Sequence, residues 1–326
     1  MDQINWGIIG CGNVTEVKSG PAFSKVPHSS LVAVMRRNAE KAADYANRHN
    51  VSKWYADAQQ LIDDPDVNAI YIATPPDSHE EYAIRAMQAG KPVYLEKPMA
   101  LNAASAQRIA DVVSSTRARL TVAHYRRQQP LFLKVKELLD NKVIGDINHV
   151  NLTLFQPHHS KMIAASEKAW RIDPAVSGGG LFHDLAPHQL DLMLYFFGKV
   201  KGPTGMASNI GKLYEAADSV IGRMDFENGA SFKGSWCFVV PEVEKEDTCK
   251  IYGTKGTISF SVFEHNPIQL ATDRGPQTFR FETLPHVQQP MIEKVVKYFR
   301  DEAENPCPAS DGVEVMRVMD AFTAGK

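Results

Sequence analysis

"INWGIIGCGNVT", residues 4–15, is the stretch on which the fold turns. Ile4 to Gly10 form a short apolar run of the kind a buried strand makes. Gly10 and Gly12 close that run, and Asn13-Val14-Thr15 open a helical stretch. Glycines at such a junction let the turn close tightly. They also let backbone N–H groups approach a phosphate at the helix N-terminus. The pattern G-x-G-x-x-G is broken at its third position, where Thr15 stands. Alone the motif is weak; it gains meaning only at the first strand–helix junction of a βαβ series.

The chain supplies that series. "LVAVM" (31–35), "NAIYIAT" (68–74), "KPVYL" (91–95) and "RLTVAHY" (119–125) are further apolar runs, separated by helical patterns over 38–48, 77–89 and 102–117. Continuous apolar strands alternating with helices predict a doubly wound parallel sheet, an α/β fold. Residues 1–123 are therefore read as a dinucleotide-binding Rossmann domain, with Gly10, Gly12, Asn13 and Val14 at the cofactor phosphates. After residue 124 the grammar changes. A helix around 131–141, the strand "INHVNLTLF" (147–155) and another helix come first. Strands near 203–211, 217–226, 230–239, 247–253 and 256–263 follow, joined by turns such as "FENGAS" and "YGTKGT". These predict an antiparallel sheet, so 124–326 is expected to form a second domain. Helical patterns over 291–304 and 312–322 finish the chain.

Composition narrows the function classes. At 326 residues the chain is long for a single core, which agrees with two domains. A formal net charge of -2 leaves no electrostatic footprint for nucleic acid or an anionic membrane. No apolar run approaches the roughly 18–20 residues of a membrane span, and no basic n-region marks a signal peptide. The four cysteines lack ligand spacing, which fits a reducing compartment and no structural zinc. A cytoplasmic protein with a small-molecule substrate is the expectation.

The second strand ends at Arg36-Arg37, where an NAD site usually carries an acidic residue for the ribose 2′-OH. Arginine there can accept a 2′-phosphate instead. A charge-assisted hydrogen bond to phosphate contributes on the order of 1.5–3 kcal/mol, about tenfold or more in preference. NADP(H) is favoured, with NAD(H) as the alternative.

"LFHDLAPHQLDL" (181–192) gathers His183, Asp184, His188 and Asp191, with Asp184 and His188 one helical turn apart. A catalytic zinc needs three converging protein ligands. Neighbouring His183 and Asp184 diverge by about 100° on a helix, which weighs against metal.

With "TPPDSH" (74–79), "LEKPMA" (95–100) and "GGGLFHDLAPHQLD" (178–191), the sequence resembles the glucose-fructose oxidoreductase / inositol dehydrogenase / rhizopine-catabolism (Gfo/Idh/MocA) family. The resemblance implies a Rossmann domain followed, over 124–326, by a substrate-binding α/β domain whose open, mainly antiparallel sheet often makes an oligomer interface, hence a homo-oligomer, dimer or tetramer. It implies oxidation of a sugar or polyol hydroxyl, or the reverse reduction, with NAD(P). Lys97 matches the lysine of E-K-P, with a cis peptide before Pro98. Asp184 and His188 match D-x-x-x-H. Thr74, Pro75 and His79 match T-P-N-x-x-H, with Pro76 in place of the asparagine. These three, Glu96 and Lys97 are implied at the cofactor. Pro187 lacks an N–H and is expected in a first turn or at a local distortion.

The chemistry is coherent. Histidine, with a reference pKa of about 6.5, suits His188 to general acid/base work. Lys97 can orient the substrate oxygen and stabilise its charge, and Asp184 can bind a hydroxyl. Tyr125 and Arg126 in "AHYRRQQP" (123–130), with Trp170 and Arg171 in "AWRIDP" (169–174), resemble positions that line the substrate cavity. His183 and Asp191 are read as structural supports, and His158-His159 as weaker candidates. Two relatives' activities compete within the same fold: an NAD-dependent glycosidase and a non-catalytic dinucleotide-binding regulator. The intact Lys97, Asp184 and His188 weigh against the regulator.

Overall fold

The computed structural model describes residues 1–160 and 170–325. Strands β1 (Ile4–Ile9), β2 (Ser29–Met35), β3 (Lys53–Tyr55), β4 (Ala69–Ile72), β5 (Val93–Leu95) and β6 (Leu120–Val122) form a six-stranded sheet in the order β3-β2-β1-β4-β5-β6. Every pairing in it is parallel. The apolar runs have a direct cause: crossover helices cover both faces, so β4 is buried at all four positions. The strand order reverses at β1, which makes a switch point between the carboxyl ends of β1 and β4. Edge strand β3 was not anticipated. Its three residues are too few to show a period, and Trp54 is exposed.

The second sheet holds β7 (Ile147–Phe155), β8 (Val200–Ser208), β9 (Ser219–Phe226), β10 (Ser231–Cys237), β11 (Glu246–Gly253), β12 (Gly256–Phe260), β13 (Ile268–Thr272) and β14 (Gly275–Phe279). Among the described residues its order is β14-β13-β12-β11-β7-β10-β9-β8, antiparallel except for the β7–β10 pair. One face is covered by the helix Leu181–Phe197. Phe182 packs on Trp236 at 5.1 Å, Phe197 on Phe226 at 5.2 Å and Phe196 on Phe260 at 6.2 Å. The other face is open, so β9 alternates strictly between buried and exposed. Strand β13 and the edge strand β14 escaped the sequence reading. In β14 no position is fully buried, so there is no apolar stripe to detect.

Two compact units result, Met1–Arg126 with Leu284–Met316, and Arg127–Thr283 with Arg317–Lys326. The return of residues 284–316 to the first unit does not appear in the two-segment division made from sequence. An amphipathic helix announces that it needs an apolar partner, not which sheet supplies it. Here Phe299, at the end of the helix Gln289–Phe299, lies 5.6 Å from Trp6 of β1. The helix stops short of its expected end at 304. Arg119 takes the Phe299 carbonyl, and Asp301 adopts a left-handed φ of 63°.

Candidate active site

In the first unit the glycine turn is built as the motif requires. Gly10 has φ 95°, and a Cβ there would lie 2.7 Å from Thr74 Cγ2 and 2.8 Å from Thr74 N. Only glycine lets the ends of β1 and β4 approach this closely. The Gly10 and Cys11 N–H groups both donate to Met35 O, at 2.9 and 3.1 Å. Thr15 explains the missing third glycine. Its hydroxyl accepts from Gly12 N at 2.9 Å and donates to Gly12 O at 2.8 Å, so it locks the turn. The first-turn N–H of Val14 then belongs to a set with no intrahelical acceptor. Half-buried Arg36 directly follows β2, and Arg37 beside it is exposed. Burial pushes the Cys11 thiol up to about 12, against the pull of Arg36, so Cys11 lines the turn as a neutral group. A tight cradle at the switch point with a guanidinium beside it fits a dinucleotide phosphate.

Thr74 and Pro75 follow β4. Pro76 opens a short 3-10 turn, Pro76–Ser78, a place where proline's fixed φ is favourable. That accounts for the departure from asparagine. Lys97 stands two residues beyond β5, and the Lys97–Pro98 peptide is cis, as the resemblance implied. Glu96 is buried. Its Oε1 accepts from the Tyr71 hydroxyl and from Gln288 Nε2, both at 2.6 Å, and its Oε2 accepts the Lys97 N–H at 3.1 Å. Buried His79 sets Nδ1 2.9 Å from Pro98 O and Nε2 2.9 Å from Thr74 O. Burial lowers its pKa, while the two carbonyls and the Glu96 charge act the other way. Glu96 and His79 are thus turned onto the unit's own side chains and backbone. Gln288 gave no sequence signal, and Tyr71 was hidden inside an apolar strand.

In the second unit the helix Leu181–Phe197 is entered through Gly180, φ 77°, where a Cβ would meet Ala216 Cβ at 2.4 Å. Pro187 lies in the interior of this helix, which continues through it, so it is not a first-turn proline. Asp184 Oδ2 accepts from Arg171 Nε at 2.9 Å, with side chains 12% and 8% exposed. The Arg171 guanidinium rests over the Trp170 ring at 4.3 Å. Trp170, Arg171 and Asp184, three of the residues singled out in the sequence, are brought together. The His188 ring meets Phe263 edge-on at 5.6 Å. His183 is pushed down to about 4 by burial and stays neutral. Asp191 accepts from Arg127 Nε at 3.0 Å and Nη2 at 2.7 Å, a buried bidentate pair that fixes this helix. Arg126 lies over the ring of buried Tyr125 at 5.7 Å, within the first unit.

Among the described residues, no group of three His, Cys, Asp or Glu side chains is placed to hold a metal ion. No helix among them is long and apolar enough to cross a membrane. Residues 4–124 match a family model described as an oxidoreductase family with an NAD-binding Rossmann fold, and residues 132–259 match its GFO/IDH/MocA C-terminal domain. The chain is 47% identical over 320 residues to oxidoreductase P35 of Formosa agariphila, covering 98% of each. It is 24% identical to levoglucosan dehydrogenase of Pseudarthrobacter phenanthrenivorans over 83% of this chain and 77% of that one. A solved structure of a levoglucosan dehydrogenase with NADH and levoglucosan shares the fold. Its TM-score is 0.86 at 24% identity, over 98% of this chain and 96% of that one.

Proposed function

Since the chain belongs to the Gfo/Idh/MocA family of NAD-binding oxidoreductases, we propose that it transfers a hydride between a nicotinamide and a sugar, polyol or related CH–OH or carbonyl compound. The observation that carries this reading is the position of two features on one sheet. The Gly10 turn closes against Thr74 at the switch point, and Lys97 follows the neighbouring strand β5 at the same carboxyl edge.

The turn at Gly10, Gly12, Asn13 and Val14 holds the pyrophosphate, and Thr74 and Pro75 line the nicotinamide side. Arg36 and Arg37 select the 2′-phosphate, so NADP(H) is preferred to NAD(H). When bound, the nicotinamide supplies the hydride donor or acceptor. Lys97 Nζ orients the substrate oxygen and stabilises its developing charge. His188 Nε2 takes or returns the hydroxyl proton, a contribution of about 10²–10⁴-fold. Asp184, held at Oδ2 by Arg171, binds a substrate hydroxyl. Trp170, Arg171, Tyr125 and Arg126 shape the substrate end. Met206 and Ile221, exposed register partners on the open sheet face, support a homo-oligomer formed there.

Cofactor fluorescence with NADH and NADPH, followed by a sugar and polyol panel in both directions, tests the reading. Lys97→Ala or His188→Ala should lower kcat by at least about 10²-fold with nucleotide affinity nearly kept; normal turnover in either refutes its role. Replacing Arg36 and Arg37 together by Ala should weaken NADPH about tenfold more than NADH. Equal losses would sink the NADP(H) preference.

A further inference from the structure

The dipeptide that carries Lys97 is held at both ends by buried side chains of its own unit. At one end the Lys97 N–H donates to Glu96 Oε2 at 3.1 Å; at the other, His79 Nδ1 stands 2.9 Å from Pro98 O. Glu96 is anchored in turn by Gln288, which comes from the part of the chain that returns at residue 284. Gln288 has one readable orientation. Its Nε2 donates to Glu96 Oε1 at 2.6 Å, and its Oε1 accepts the Tyr94 hydroxyl at 3.0 Å. The Gln288 N–H reaches Lys18 O at 3.3 Å, and Tyr71 Oη lies 3.1 Å from Ser19 Oγ. The network therefore also touches the segment just after the glycine turn.

Burying a carboxylate at 6% exposure and a glutamine at 1% is costly unless every polar atom is used. Here the Glu96 carboxylate accepts from Tyr71, Gln288 and the Lys97 backbone. Burial and the Glu96 charge hold the Tyr71 and Tyr94 hydroxyls protonated, so both serve as donors. A lysine ammonium ends a flexible four-carbon stem, so its aim depends on how firmly its backbone is set. A misplacement of about 1 Å can cost about 10²-fold in rate.

We propose that Glu96, His79 and Gln288 are positioning residues for Lys97, and that the returning segment at Gln288 completes the Lys97 turn. This rests on the role proposed above for Lys97. The test uses the full-length protein labelled with 15N-lysine, the Lys97 amide being identified by its loss in Lys97→Arg. In Gln288→Leu the Lys97 amide should exchange with solvent at least about tenfold faster, since its acceptor Glu96 is no longer held. With a substrate from the panel, kcat should fall about 10- to 100-fold while KM changes by less than about threefold. NADPH affinity, read by fluorescence, should stay within about twofold of the parent. Tyr71→Phe keeps the ring stacked on Tyr94 at 5.2 Å and removes one donor to Glu96, so it should give the same pattern more weakly if Gln288→Leu does not fold. Parental amide exchange in a folded variant overturns the proposal, as does unchanged kcat. If the parent turns over nothing on the panel, the functional reading falls and the amide exchange alone decides the positioning.

Discussion

Strand β4 is buried at all four of its positions, whereas β9 alternates buried and exposed from Val220 to Phe226. The contrast follows from how each sheet is connected. Parallel strands need crossover helices, and these cover both faces; hairpin-linked strands can leave one face bare. Polar chemistry is distributed accordingly. In the first sheet it collects at the carboxyl edge, at Gly10, Thr74 and Lys97, and is held largely through backbone atoms. In the second, it sits on a helix that is itself buried, so its polar side chains find partners among other side chains. Arg171 serves Asp184, Arg127 serves Asp191, and Trp236 donates to Gln189 at 2.7 Å. Strand ends and a buried helix thus present functional groups by different physics.

The sharpest way to break this contrast is Asp191→Ala, which leaves Arg127 buried without its carboxylate. It should cost about 3–5 kcal/mol in denaturant unfolding, with much of the loss recovered in Asp191→Leu combined with Arg127→Met. A loss below about 1 kcal/mol would mean that apolar packing alone holds the helix. Next comes the pH dependence of His183. Its folded pKa of about 4 lies below the ordinary value of about 6.5, so the unfolded chain binds the proton first. Its contribution is complete above pH ~6.5 and is lost as the pH falls toward ~4, about 3 kcal/mol in all. Urea midpoints at pH 7, 5.5 and 4 should therefore drop more steeply for the parent than for His183→Phe; parallel curves would remove the assignment. The smallest effect compares the two sheets directly. Ile70→Val should cost about 0.5–1.5 kcal/mol, and Ile221→Val, measured at a concentration where the proposed oligomer is dissociated, no more than about 0.5 kcal/mol. Equal costs under that condition would mean that the Ile221 face is not open in the single chain.

Much of this was legible in the residues. The strand–turn–helix at Gly10, the alternating elements up to residue 123 and the switch in grammar after it follow from local periods and turn chemistry. The motif resemblance also singled out Lys97, Asp184 and His188 as candidates. Strands β3, β13 and β14 were not legible: β3 has three residues, β14 has no buried position, and β13 buries only Ile268 and Leu270, too few to establish a period. Nor was the direction of Glu96 and His79, which were themselves read as cofactor ligands and whose side chains bond within the unit's own network.

The sequence by itself determined the element types, the glycine turn and the chemical groups on offer, since each is written in spacings of a few residues. Only the tertiary structure decided that residues 284–316 return to the nucleotide unit, that Arg171 meets Asp184 and that Gln288 meets Glu96. A contact across 192 residues leaves no local period, and whether two polar side chains meet depends on which faces pack together.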